Sequence, residues 1–231
     1  MTTEKSHRVA ILHGTEPWGQ CRRTRTNYGP DEWESLLRSR GFLTKRLSVR
    51  DIGALLDEPI YEMLVNPFGE DYPEEDNKSE RSLNQIVNYV ERGGIFVCTG
   101  GWPFYFADSP RGRIEGQNRL EKYFHVNVDS GQWWEDNEPV KQPEGSIALF
   151  GPLADKGGTD IVSVWRPIQE KYGAVKKILV ATKRAGIVLG FLPVRRGGII
   201  LTGMSLKGSP EFDKLTSFLT VLIDKGLRNE Y

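Results

Sequence analysis

The chain has 231 residues, 38% of them hydrophobic and 27% charged, with Lys+Arg and Asp+Glu both at 31. That size and balance fit one soluble globular domain and exclude a disordered or fibrous chain. A formal net charge of zero gives no reason to expect a nucleic-acid partner.

Two cysteines, Cys21 and Cys98, are too few for a disulfide framework and lack metal-ligand spacing, so a reducing compartment is expected. The opening MTTEKSHRVAIL holds no long apolar stretch. No signal peptide and no membrane span are expected, and the location anticipated is cytoplasmic. No cofactor and no metal site is indicated.

RVAILHG (8–14) reads as a buried strand ending at Gly14. Asp31 and Glu34 have capping-box spacing. They open a helix with Trp33, Leu36 and Leu37 on its apolar face and Gly41 at its C-terminal stop. FLTKRLSV (42–49) alternates as a second strand, and DIGALLD (51–57) reads as a short helical turn. YEMLVNPFGE (61–70) is a third strand running into a Pro/Gly turn. The acidic EDYPEEDNKSE (70–80) is expected to be a surface loop.

Ser82 and Gln85 form a second capping-box pair before Leu83, Ile86, Val87 and Val90, which recur at helical spacing. Gly93-Gly94 ends that helix, and IFVC (95–98) is a fourth strand. Strand–helix alternation of this kind predicts a parallel sheet with right-handed crossovers.

Residues 103–172 form an irregular insertion, with short strand candidates at SIALF (146–150) and DIVSVW (160–165). Order returns in KKILVAT (176–182), GIVLGFLPV (186–194) and GGIILTGM (197–204), the first two pairing as a hairpin through 183–186. Ser209 and Pro210 open a final helix with Leu215, Phe218, Leu219 and Leu222 on one face. The architecture expected is a three-layer α/β sandwich around a mainly parallel, flavodoxin-like sheet.

In such a sheet ligands gather beyond the carboxyl ends of the strands. Three strand ends carry chemistry there: His13-Gly14-Thr15-Glu16, Asn66-Pro67-Phe68-Gly69-Glu70 and Cys98-Thr99-Gly100-Gly101-Trp102. Cys98 reads either as a nucleophile or as a small buried side chain. His13 reads as a base or a core histidine, and 66–70 as a pocket wall or a rigid turn. Trp18, Trp102, Phe104 and Tyr105 either stack on a ligand or pack. CRRTRT (21–26) either holds an anion or is a solvated loop. A pocket at these ends would be bordered by all three turns, covered by the segment carrying Trp133 and Trp134, and suited to a small polar molecule.

The stretch SLNQIVNYVERGGIFVCTGG (82–101), a helix ending in Gly-Gly and a strand flowing into C-x-G, resembles the class I glutamine amidotransferase-like superfamily. That superfamily includes glutaminase domains, the DJ-1/PfpI group, ThuA-like proteins and the trimerisation domains of some β-galactosidases. GGIILTGM with its following helix resembles the way the last two groups end. The resemblance covers residues 8–101 and 186–225 and implies one such domain over 1–231, with an insertion at about 103–172.

It further implies that Cys98 lies on a nucleophile elbow, with Thr99, Gly100 and Gly101 permitting the sharp turn. Glutaminases pair this cysteine with a late histidine, whereas this chain has only His7, His13 and His125. Ordinary glutaminase activity is therefore not expected. A DJ-1-like arrangement would use Glu16, with Glu70 as a second candidate. Two readings follow. In one, the fold binds a small polar ligand or serves as an assembly module, including as a homo-oligomer. In the other, Cys98 serves a cysteine-dependent hydrolase or lyase.

Overall fold

The runs RVAIL and IFVC enter the same sheet with one strand between them. The structure is a computed structural model and describes residues 7–13, 29–53, 61–76, 79–98, 103–116, 119–124, 128–131, 140–141, 164–167, 177–182 and 187–202. Its strands in the first half are β1 (Arg8–Leu12), β2 (Leu43–Leu47), β3 (Met63–Asn66), β4 (Asp71–Pro73), β5 (Ile95–Cys98), β6 (Phe106–Ser109) and β7 (Gly112–Glu115). The remainder are β8 (Val128–Gly131), β9 (Val140–Lys141), β10 (Val164–Pro167), β11 (Lys177–Thr182), β12 (Ile187–Val194) and β13 (Gly197–Thr202). The helices are α1 (Pro30–Ser39), α2 (Arg81–Glu91) and the short α3 (Arg119–Phe124).

Five strands in the order β2-β1-β3-β5-β13 are mutually parallel. Counting parallel strands alone, this is the 2-1-3-4-5 order of the flavodoxin-like fold. β12 returns antiparallel beside β13, and β10 and β8 extend the sheet antiparallel beyond it. β11 pairs antiparallel with β12 as expected from the sequence.

Parity assigns the layers, because successive side chains in a strand point to opposite faces. Thr44 and Arg46, level with Val9 and Ile11, both bond to Glu34 of α1. That face also takes Met63, Val65, Ile95 and Val97 by register, with Trp33 and Leu37 of α1 buried over the sheet. Ala10, Leu12, Leu64, Phe96, Cys98 and Ile199 form the other core with Leu83, Ile86, Val87 and Val90 of α2. With both faces covered, the central strands are apolar throughout, which is why they read as continuous runs.

α1 and α2 end in paired backbone bonds around a left-handed glycine. At α1, Gly41 (φ 86) donates to Arg38 O and Phe42 donates to Leu37 O, each at 3.0 Å. At α2, Gly93 (φ 118) donates to Val90 O and Gly94 donates to Tyr89 O, also at 3.0 Å. These are Schellman stops, where glycine avoids the Cβ penalty of positive φ.

The starts differ from the sequence reading. α1 begins at Pro30 with Gly29 as its cap, so Asp31 lies inside the first turn. Glu34, expected to reach back to the cap, instead holds Arg38 and Arg46. The Ser82–Gln85 pair is also displaced, because α2 begins at Arg81 behind Glu80. A capping box does form at the 3-10 turn Val49–Asp51, between Ser48 and Asp51. That turn precedes the helical turn expected over 51–57, of which 54–57 lie outside the described residues.

The largest correction concerns 70–80. Asp71–Pro73 is not a surface loop but strand β4, with Asp71, Tyr72 and Glu74 no more than 1% exposed. β4 starts a second sheet, β4-β6-β7, parallel at β4–β6 and antiparallel at β6–β7. The described residues of the insertion supply β6 and β7 to this sheet and β8, β9 and β10 to the main one. Of DIVSVW, Val164 and Trp165 begin β10; SIALF and the segment expected to form a final helix from Ser209 lie outside the described residues.

Candidate functional site

β1, β3 and β5 run parallel and adjacent, so their carboxyl ends open on one edge of the sheet. Asn66 ends β3, Cys98 ends β5, and the two are level in register. His13 follows β1 on the same edge, half-buried, and its backbone N–H donates to Leu47 O at 3.0 Å. Glu16, Thr99, Gly100, Gly101 and Trp102 lie outside the described residues, as do Trp18, Cys21, the 21–26 run, Trp133 and Trp134.

Asn66 organises the turn that follows it. Its Nδ2 donates to Gly69 O at 3.2 Å and to Asp71 O at 2.9 Å, and its Oδ1 accepts from Phe68 N–H at 3.2 Å. Gly69 supplies the left-handed residue that closes the loop, at φ 70. The side-chain amide thus replaces missing backbone partners over a loop that is buried from 66 to 69.

The Cys98 thiol donates to the same Gly69 carbonyl at 3.4 Å and is 0% exposed, within the α2-side core. Asn66, Gly69 and Cys98 are therefore brought together as one knot. Glu70 stands next to them, and its carbonyl accepts from Phe106 N–H at 3.0 Å, which ties the knot to β6.

Aromatic side chains share the core into which the Cys98 thiol is buried. Phe104, at φ 64 and 0% exposed, meets Phe96 (4.8 Å between ring centres), Phe124 (5.5 Å) and Tyr72 (5.7 Å). Tyr105 packs edge-on against Phe106 at 4.5 Å. Phe104 is therefore a packing residue, whereas Tyr105 is half-buried and its hydroxyl donates to the Glu115 carboxylate.

A set of charged groups that the sequence reading did not single out surrounds this core. Glu74 is 1% exposed and accepts from Ser82 N–H at 3.0 Å and Leu83 N–H at 2.9 Å. It caps α2 from eight residues upstream, a carboxylate on the positive end of a helix. Burial pushes its carboxyl up, while those N–H donors pull it back.

Glu80, left-handed at φ 42, takes Arg119 Nε at 2.9 Å, Lys122 Nζ at 2.7 Å and the Tyr123 hydroxyl. Burial raises its carboxyl, but these three donors outweigh burial and hold it at about 2. Arg119 also donates to Phe104 O and Tyr105 O, each at 2.9 Å, and so secures the left-handed Phe104.

On the face of the small sheet opposite Tyr72 and Ala107, Asp71 and Asp108 both meet Arg113. Its guanidinium bonds to Asp71 Oδ1, lies 3.8 Å from Asp108 Oδ1 and stacks 3.4 Å over the Phe106 ring. Burial pushes the Asp71 carboxyl up; Arg113 opposes that, Asp108 and Glu70 add to it, and the result is about 7. The one sequence signal for this sheet is the S-P-R-G turn at 109–112 between FAD and RIE, which forms the two-residue loop of β6–β7.

Among the described residues no group of His, Cys, Asp and Glu is arranged to hold a metal ion, and no helix is long and apolar enough to cross a membrane.

No family model and no curated protein matches the chain. Solved structures do. A protein of Thermoplasma acidophilum described as a "putative gmp synthase subunit a protein" aligns over 99% of this chain and 100% of its own at 12% identity, with a TM-score of 0.51. The β-galactosidase of Bacillus circulans sp. alkalophilus aligns over 95% of this chain at 13% identity and a TM-score of 0.57, but only over 31% of its own length. A cytoplasmic protein of Salmonella typhimurium LT2 aligns over 94% of this chain and 98% of its own, at 12% identity and a TM-score of 0.50. At such identities the likeness is one of fold alone: an α/β sandwich around a mainly parallel, flavodoxin-like sheet.

Proposed function

We propose that this chain works by binding, as an amidotransferase-like module in which the cysteine at the elbow position has become part of the scaffold. The observation that carries the reading is the Asn66–Gly69–Cys98 knot. The thiol is fully buried and spends its hydrogen on a carbonyl that Asn66 also grips. A nucleophile needs access and a thiolate, whereas a buried thiol in apolar surroundings is inert. Phe96, Phe104 and Tyr72 belong to the same buried core as the thiol.

The occupant we assign is a small polar molecule at the ends of β1 and β3, where His13 is half-buried and the parallel order reverses direction on either side of β1. Assembly with a further copy of the chain is the other use of such a module. It draws on the β-galactosidase likeness, in which this fold makes up 31% of a longer chain.

The test compares purified wild type with Cys98→Ser for ammonia release from glutamine and for hydrolysis of p-nitrophenyl acetate. Equal, background-level rates are expected from both. Turnover by wild type that Cys98→Ser abolishes would restore the cysteine-hydrolase reading.

A further inference from the structure

β2 ends the main sheet: β1 lies on one side of it, and among the described residues no strand lies on the other. Its ladder bonds run through alternate residues. Leu43 N–H donates to His7 O at 2.9 Å and Leu47 O accepts from His13 N–H at 3.0 Å, so Leu43, Lys45 and Leu47 are the residues bonded to β1. In a parallel pair the residues between them turn their N–H and C=O groups the other way. Thr44 and Arg46 therefore present their backbone donors and acceptors along the outer margin of the sheet, where no described group bonds to them.

Edge strands are commonly blunted by a proline, a bulge or a very short run. β2 has none of these: it is five residues long, matches β1 residue for residue and holds no proline. Its side chains leave the margin clear as well. Thr44 and Arg46 are drawn towards α1 by Glu34, and Arg46 also reaches Asp31. On the opposite face Leu43 is 52% exposed, the one large exposed hydrophobic among the described residues. Lys45 on that face is also exposed, with no ion pair among the described residues. The surrounding charge has one sign: the segment from Arg38 to Arg50 carries Arg38, Arg40, Lys45, Arg46 and Arg50 and no acid.

We propose that the outer margin of β2 is a docking edge for an extended acidic segment of a partner protein, which adds to the sheet as a further strand. This surface is separate from the strand-end turns and does not depend on what binds there. Charge selects the occupant. Two copies meeting edge to edge would bring two basic segments together, and a two-fold axis through Lys45 would set that residue against its own counterpart, a destabilising arrangement for like charges. Lys45 thus blunts the edge against a second copy without blunting it against an acidic strand. Main-chain bonds to Thr44 and Arg46 supply the attachment, and the acids of the added strand supply the preference for sign.

The probe is a fluorescein-labelled peptide of alternating valine and glutamate, about seven residues long, with a valine–lysine peptide as its control, each added to the full chain. The acidic peptide should bind and the basic one should not, and the affinity should fall between about 50 mM and about 500 mM salt. Amide exchange read by NMR at saturation gives the geometry. The Thr44 and Arg46 N–H groups should slow at least about tenfold, whereas those of Leu43, Lys45 and Leu47, already bonded to β1, should change little. Thr44→Pro deletes one outward donor without breaking a ladder bond and should weaken the acidic peptide at least about threefold. Lys45→Glu keeps every backbone group and should weaken it by a similar factor, so the test stands even if the proline variant fails to fold. No binding, equal binding of the two peptides, or slowing spread evenly along β2 overturns the proposal. Self-association in sedimentation velocity that Thr44→Pro abolishes would overturn it in favour of a second copy. Tighter binding of an oligo-dT strand than of the acidic peptide would overturn it in favour of nucleic acid.

Discussion

Replacing Asn66 with alanine tests whether one buried amide holds the strand-end turn. The substitution deletes three hydrogen bonds at a residue that is 0% exposed. The Phe68 N–H loses its acceptor inside the protein, at a cost of about 1–3 kcal/mol for a stranded buried donor. Two carbonyls lose an amide donor, at about 1 kcal/mol each, although Gly69 O keeps the Cys98 thiol. The expected total is about 3–5 kcal/mol, a large part of the stability of an ordinary domain. Urea unfolding should show a lower midpoint with an unchanged slope.

Asn66→Asp keeps the shape but turns a carboxylate towards two carbonyl oxygens, so it should cost at least as much. A double-mutant cycle between Asn66→Ala and Cys98→Ala should give a coupling above about 0.5 kcal/mol, because both side chains hold one carbonyl. A loss below about 1 kcal/mol in Asn66→Ala, with the slope unchanged, would refute this account of the turn.

Two further outcomes can be checked by the same unfolding assay. Glu74→Ala should destabilise by about 2 kcal/mol, since Ser82 and Leu83 N–H groups lose their acceptor at a helix start that has no side-chain cap of its own. Gly197→Ala should cost about 3 kcal/mol by overpacking, because its Cβ would fall 2.2 Å from the backbone oxygens of both Gly94 and Val90.

The main sheet was legible because its central strands are buried on both faces and read as uninterrupted apolar runs. RVAIL and IFVC coincide with β1 and β5. Gly41 and Gly93 were legible because a left-handed helix stop is a local requirement that few residues satisfy. The helix starts were not, because their partners are distant: Glu74 caps α2 from β4's end, and Glu34 is drawn away by Arg46 of β2. β4 was hidden for a similar reason. Its acids enter the interior only because Arg113 and the start of α2 meet them there, and both come from elsewhere in the chain.

At the site, the convergence of the 66–70 and 98 strand ends was readable from strand order alone. The direction of the Cys98 side chain was not. A strand buried on both faces carries no polar alternation, so nothing in IFVC marks which residues meet α2. Nor does NPFGE reveal that its asparagine, more than its proline or glycine, makes the turn's side-chain bonds.

Native-state alkylation tests most directly whether the Cys98 thiol is a structural donor inside the core. Folded protein is exposed to iodoacetamide across about pH 6 to 9, and modification is followed on the peptide containing Cys98 separately from that containing Cys21. A structural thiol should label at least about a hundredfold more slowly than in the urea-unfolded chain, because reaction must wait for the turn to open, and labelling should be faster in Asn66→Ala. Labelling of native Cys98 at the unfolded rate or above, with a midpoint well below the ordinary thiol value of about 8.5, would contradict that role and make Cys98 a nucleophile.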